Sequence, residues 1–341
     1  MAETKTVLVT GGSGWLAGFC IAALLGQGYR VKTTIRNLAK EAEVRATLAK
    51  ITKPDERLTF SAADLSADAG WAEAVAGCHY VLHVASPFPA GQPKDPNELI
   101  IPAREGALRV LKAAVAAGVE RVVLTSSVAA VAYGQKVPET TVFDESFWTD
   151  VKGHDVTVYA QSKTIAEQAA WAFMKENGGK TSLAVINPAA IIGPALSPDF
   201  STSLQLVERL MNGSTPGSPR IGFTIVDVRD LAQLHLLAMT RPEAAGQRFI
   251  GAGPFLWMGD IAKILKAGLG KDAKVPTREL PDFMLRIIAL FDPGIRSVVG
   301  SLGKKKEMSS AKAHTVLGWK QRPVEDTILD CARSLIAEGI V

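Results

Sequence analysis

The chain has 341 residues, more than one hydrophobic core usually organises, and its 47% hydrophobic and 21% charged residues exclude disorder of the whole chain. The formal net charge of +4 is not gathered into basic stripes, so the one run, Lys304-Lys305-Lys306, reads as a solvated loop or helix end and no nucleic-acid partner is expected. Cys20, Cys78 and Cys331 lie far apart with no C-x-x-C pair, which suggests buried thiols in a reducing cytoplasm and neither a disulfide framework nor a metal site. No apolar run approaches the roughly 20 residues of a membrane span, so no membrane partner is expected either.

Short β-branched runs alternate with helix-length amphipathic segments, the pattern of a parallel sheet covered on both faces. Thr6 to Thr10 forms a first strand, followed by glycines and a helix to about Gln27, and Arg30 to Ile35 forms a second strand. A helical pattern from Leu38 to Ile51 precedes a third strand, Leu58 to Ala62, and Tyr80 to Val84 reads as a fourth. A helix from about Asn97 to Ala117 leads to the fifth strand, Arg121 to Thr125. Val158 to Glu176 is helical and Thr181 to Ile186 is a sixth strand. Residues 194 to 220, rich in Ser, Pro and Gly, are expected to be a mobile connection, and Phe223 to Val228 one more sheet strand. From about Gly251 the alternation weakens into a smaller lobe. The expectation is an α/β, Rossmann-type doubly wound, mainly parallel sheet with a smaller C-terminal substrate lobe. Residues 1–187 and 218–250 would form the nucleotide domain, and 188–217 and 251–341 the lobe.

Thr10-Gly11-Gly12-Ser13-Gly14-Trp15-Leu16-Ala17-Gly18 sits between the first strand and the first helix. A helix N-terminus offers unpaired N–H groups and a partial positive charge, which suit a dinucleotide pyrophosphate. Gly11 permits a tight turn, Gly14 leaves room for phosphates, and Ala17 lets the helix pack against the strands. The second strand ends in Thr33-Thr34-Ile35-Arg36-Asn37, with no acid to accept from a ribose 2′-hydroxyl. Arg36, helped by Lys40, would instead hold a 2′-phosphate, so NADP(H) is the expected cofactor. Asp64 could accept from the adenine amine, or equally cap a helix.

Tyr159-Ala160-Gln161-Ser162-Lys163 opens a helix and puts Tyr159 and Lys163 on one face. A tyrosine phenol ordinarily titrates near 10, and an ammonium beside it should favour phenolate, making a general acid/base for a carbonyl. Ser126-Ser127 lies just past the fifth strand, where a second group for the same carbonyl oxygen belongs.

Together these residues resemble the extended short-chain dehydrogenase/reductase family, and within it the dihydroflavonol-reductase-like branch of carbonyl reductases. The likeness includes Thr34-Ile35-Arg36, His83-Val84-Ala85-Ser86-Pro87, Leu124-Thr125-Ser126-Ser127, Asp144-Glu145-Ser146-Phe147-Trp148, Asn187 to Pro194 and Val226 to Ala232. It implies a catalytic set of Ser127, Tyr159 and Lys163. It implies cofactor contacts at Gly11, Gly14, Trp15, Leu16, Leu65, Val84, Ala85, Ser86, Thr125, Pro188, Ala190 and Ile191, and a structural role for Asp230. The flavonoid-gripping polar positions of the plant enzymes fall on Ala132 and Thr224, and the pocket candidates Phe88, Pro89, Tyr133 and Phe223 are mostly apolar. A hydrophobic or aromatic ketone or aldehyde is therefore expected, on a monomer or homodimer.

Three other readings stay open. A nucleotide-sugar epimerase or dehydratase would hold NAD firmly, which the missing acid after the second strand opposes. A hydroxysteroid dehydrogenase would run the same chemistry toward oxidation. A redox-sensing NADP(H)-binding regulator would have no need for Ser127, Tyr159 and Lys163 together.

Overall fold

In the computed structural model, residues 4–87, 93–197, 202–213, 217–270, 274–290 and 299–341 are described. Seven strands form one parallel sheet: β1 (Thr6–Val9), β2 (Arg30–Ile35), β3 (Leu58–Ala62), β4 (Tyr80–His83), β5 (Arg121–Thr125), β7 (Ser182–Pro188) and β10 (Gln247–Gly251). The strand order is β10-β7-β5-β4-β1-β2-β3, with every neighbouring pair parallel. The chain therefore winds outward in opposite directions from the β1/β4 pair, which opens a crevice at the carboxyl ends of those strands.

The strand sequences show why both faces are covered. Val7 and Val9 of β1 enter one core while Leu8 enters another, as the period of two requires. On the first face pack α1 (Trp15–Gly26) and α7 (Val228–Thr240); on the other, α4 (Asn97–Ala116) and α5 (Val158–Asn177). Helix α1 reads Trp-Leu-Ala-Gly-Phe-Cys-Ile-Ala-Ala-Leu-Leu-Gly, apolar nearly all round, and eight of its residues are buried. No helix among the described residues is long and apolar enough to cross a membrane.

The strand expected over Phe223–Val228 exists as β9 (Gly222–Asp227), but it joins a separate three-stranded sheet. It lies parallel to β8 (Ala190–Ile192) and antiparallel to β11 (Phe255–Trp257). The seventh strand of the main sheet is β10, a run with little β-branched character. The expected mobile connection over 194–220 contains a helix, α6 (Gln205–Met211). Its Val207 and Leu210, one turn apart, insert into a further hydrophobic core beside Ile225, Ile261, Leu265 and Ile328.

A seam of ion pairs fastens the C-terminal segment to the β9–α7 junction. Asp227 lies 2.8 Å from Arg229 and 3.5 Å from Arg322, and Arg322 also reaches Asp230 at 2.7 Å. The indole of Trp319 donates to Asp230 O at 2.7 Å. A short parallel pair, β6 (Val142–Phe143) with β12 (Glu307–Met308), brings the same segment beside the crevice.

Candidate active site

The turn after β1 is shaped by close backbone approaches. Gly11 has φ +72° and faces β4's exit so closely that a Cβ would stand 2.9 Å from the Ala85 Cβ. A Cβ on Gly12 would fall 2.3 Å from the Thr33 hydroxyl. Two bonds pin the turn to β2, from Gly11 N to Thr34 Oγ1 at 3.0 Å and from Gly12 N to Thr34 O at 2.8 Å. Thr10 Oγ1 accepts from Ala85 N at 3.0 Å and lies 2.9 Å from His83 Nδ1, which ties β4's exit to the same turn. The N-cap of α1 is exposed Gly14, with no side-chain cap and no acid in the first turn. Trp15 and Leu16 supply the first N–H groups of the helix, and the Trp15 indole donates to Pro194 O at 2.8 Å. Such an uncapped, acid-free helix start fits the pyrophosphate of a dinucleotide.

At the end of β2, Arg36 and Lys40 are exposed on the loop that the 3-10 turn Leu38–Lys40 closes, with Asn37 as its cap. Asp64 faces this corner, but its Oδ1 already accepts from Ser66 N at 2.8 Å and from Ser66 Oγ at 2.7 Å. Those bonds hold its carboxyl below the usual range. Asp64 thus braces a turn through Oδ1; Leu65 lies beside it, under Gly106 of α4.

Ser127 follows β5 and caps a short 3-10 turn, its Oγ accepting from Ala129 N at 3.1 Å. The same hydroxyl shares a hydrogen bond with the Tyr159 phenol. Thr157 caps α5 through Ala160 N, which sets the helix so that Tyr159 meets Ser127. One turn on, buried Lys163 donates from Nζ to Ser86 Oγ at 3.0 Å, and Nζ lies 5.9 Å from the centre of the Tyr159 ring. Burial pushes the Tyr159 phenol up, with only Ser127 opposing. Burial also pushes the Lys163 ammonium down, to about 8, with Glu167 opposing. The ammonium points at Ser86 rather than at the phenol oxygen's own partner, Ser127.

Thr125 is spent differently. His235 Nδ1 is 2.8 Å from Leu231 O, which can only accept, so His235 Nε2 accepts from the Thr125 hydroxyl at 2.8 Å. Pro188 is buried at the end of β7, with Ala190 and Ile191 half-buried on β8 and Val84 half-buried after β4. A cavity between β4, β5, α4 and α5 is lined by Leu65, His83, Ser86, Thr125, Lys163 and Glu167, among others.

On the substrate side, Tyr133 lies near Tyr159 and raises its proton affinity. Lys306 stacks over the Tyr133 ring at 3.7 Å, donates to Ala132 O at 2.9 Å and reaches Asp155 at 2.7 Å. This corrects the reading of Lys304–Lys306 as wholly solvated: Lys306 immediately precedes β12, whose pairing with β6 draws it into the crevice. Thr224 is buried, with its hydroxyl donating to Lys306 O at 3.1 Å, and Ala132 is 1% exposed. Phe223 stands exposed on β9, on the face opposite Thr224. Phe88 and Pro89 lie outside the described residues.

Sequence reading passed over Glu167 and Arg248. Glu167 is 1% exposed, and its carboxylate collects Ser126 Oγ at 2.6 Å, Asn187 Nδ2 at 2.8 Å, Arg248 Nε at 2.6 Å and Trp171 Nε1 at 3.3 Å. The spacing 159, 163, 167 puts it on the same helical face as Tyr159 and Lys163, a signal present in the sequence.

The chain matches the model of the NAD dependent epimerase/dehydratase family over residues 7–251. It is 42% identical to a cinnamoyl-CoA reductase, CAD2, of Medicago truncatula, over 71% of this chain and 74% of the relative. It is 32% identical to tetraketide alpha-pyrone reductase 1 of Arabidopsis thaliana, over 98% and 96%. Among solved structures, it superposes on yeast methylglyoxal/isovaleraldehyde reductase Gre2 complexed with NADPH. That match has a TM-score of 0.80 and 27% identity, and covers 98% of this chain and 100% of the other.

Proposed function

The chain belongs to the NAD dependent epimerase/dehydratase family, among the extended short-chain dehydrogenase/reductases, and on that premise we propose a reductase of ketones or aldehydes with Tyr159 as proton donor. It is an NADP(H)-dependent oxidoreductase. The observation that carries the reading is the shared hydrogen bond of the Ser127 and Tyr159 hydroxyls, one helical turn before a buried ammonium and beside an uncapped glycine turn.

When bound, NADPH supplies the hydride. The first N–H groups of α1 would hold its pyrophosphate, Arg36 and Lys40 its 2′-phosphate, and Val84, Ala85 and Ser86 would line its ribose and phosphates. Pro188, Ala190 and Ile191 would flank the nicotinamide, and Lys163 would reach the ribose hydroxyls. The Ser127 and Tyr159 hydroxyls both donate to the substrate's carbonyl oxygen. Ser127 stabilises the negative charge growing there, and Tyr159 gives up its proton to form the alcohol. Tyr133, half-buried beside Tyr159, favours a hydrophobic or aromatic substrate. Three free, buried cysteines support work in the reducing cytoplasm.

The test is NADPH consumption against aryl ketones, aldehydes, β-keto esters and flavonoids, with NADH as control. Turnover of hydrophobic carbonyls with NADPH preferred is expected. Firmly bound NAD with no carbonyl reduction would return the choice to an epimerase.

A further inference from the structure

The two elements that carry the reacting groups of the proposed site, α5 and the end of β5, meet at one carboxylate. Glu167 stands one turn beyond Lys163 on α5, and its Oε2 accepts from Ser126 Oγ at 2.6 Å, at the end of β5 beside Ser127. Asn187 at the end of β7 bridges the two, donating from Nδ2 to Glu167 Oε2 at 2.8 Å and to Ser127 O at 3.1 Å. Its Oδ1 is buried without a partner, so the amide is held by these two acceptors alone. Arg248 of β10 completes the carboxylate's shell. Its Nε reaches Oε1 at 2.6 Å, and its NH1 donates to Glu145 O at 3.0 Å and Phe147 O at 2.9 Å. The guanidinium lies 3.7 Å over the Trp148 ring. Side chains of both partners are under 10% exposed.

Burying such a pair gains little stability over an apolar substitute, so its presence behind a reacting site calls for another reason. We propose that Glu167, held by Arg248, is a positioning residue: its carboxylate is the counter-charge for the buried Lys163 ammonium and the anchor for the strand end that carries Ser127. The proposal rests on the reductase reading for the roles of Lys163 and Ser127.

The titratable groups facing Lys163 among the described residues are few. Tyr159 and Glu167 lie on its own helix and His83 on β4, while α4 presents Ala103 and Ala107 to the same cavity. Burial pushes His83 down to about 3, so it is neutral throughout the working range. Glu167 is then the one neighbour that favours the charged lysine.

Removing the charge should therefore lower the pH at which Lys163 loses its proton, and loosening the anchor should slow the reaction without that shift. Glu167→Gln alone strands the Arg248 charge, so the main test uses Glu167→Gln/Arg248→Met, checked for a single cooperative melt. Binding of NADP+ is followed without substrate by tryptophan fluorescence from pH 6 to about 9.5. The midpoint of its pH dependence should fall by about one unit, and the kcat deficit should be larger above pH 8 than below pH 7. Ser126→Ala keeps both charges and removes one anchor bond. It should lower kcat about tenfold, with the binding midpoint and the KM for NADPH unmoved. An unmoved midpoint in the folded double variant overturns the counter-charge role, and native kcat in Ser126→Ala overturns the anchor. Should the double variant fail to fold, Glu167→Gln/Arg248→Gln, which removes the same two charges and keeps polar partners for Ser126 and Asn187, gives the midpoint in its place, and Ser126→Ala still tests the anchor. Native protein that binds no NADP+ at any pH would take down the functional reading and this inference together; binding with unmoved midpoint and native kcat removes only the inference.

Discussion

Tyr159 and Arg36 are the two residues on which the reading can be tested most cheaply. Tyr159→Phe keeps the ring and loses only the hydroxyl, so turnover should fall about a thousandfold while NADP+ still binds. Substantial retained turnover, measured alongside a fluorescence titration of the nucleotide, would remove Tyr159 from the chemistry. Arg36 is exposed and carries no catalytic role, so Arg36→Ala should act on one cofactor only. Loss of a charge-assisted contact to phosphate, about 2 kcal/mol, predicts a KM for NADPH raised roughly thirtyfold, with that for NADH unchanged. Equal losses for both would argue against a 2′-phosphate there. These residues were legible because their signals are local: a tyrosine and a lysine four apart, an arginine where an acid would stand. Glu167 was half legible, through its place on the Tyr159 face. Arg248 was not, since it meets Glu167 across 81 positions and only the sheet order brings β10 beside β7. Lys306 was misread for the same reason, its partner Ala132 being 174 positions away.

Among elements, strand existence was easier to read than strand partnership. The apolar alternation of Phe223–Val228 marked a strand, but the same pattern suits a small sheet and a large one, and β9 went to the small sheet. Helix α6 hid in a stretch whose Ser, Pro and Gly content spoke for a connection, although Val207 and Leu210 already carried helical spacing. One hydrogen bond, from the Trp15 indole to Pro194 O, ties α1 to the segment after β8. Trp15→Phe keeps an aromatic ring but deletes the donor and the second ring of the indole. It should cost about 1 kcal/mol in chemical denaturation and weaken NADP+ binding. No change in either would make that bond incidental.

For the whole molecule, two buried histidines set the acid limit. Burial pushes His83 down to about 3 and His235 to about 4. An unfolded chain protonates them near 6.5, so below that pH the unfolded state binds protons that the folded state refuses. Stability should be full above pH 7 and fall as the pH drops, by about 2 kcal/mol per histidine between pH 7 and pH 5. Thermal melts across that range, repeated on His235→Gln, measure it. The variant should show the shallower slope, and an identical slope would assign the acid loss to other groups.

The bare start of α1 has a consequence for the protein's lifetime as well as its ligand. A helix whose first N–H groups have no side chain to answer them leaves part of its folding energy to be supplied from outside. Nucleotide that binds the folded chain alone adds stability in proportion to the logarithm of its concentration, about 2.7 kcal/mol at a hundredfold excess over Kd. Resistance to heat and to proteases would then rise and fall with the surrounding nucleotide pool, so that this turn makes the persistence of the protein a record of the cofactor available to it.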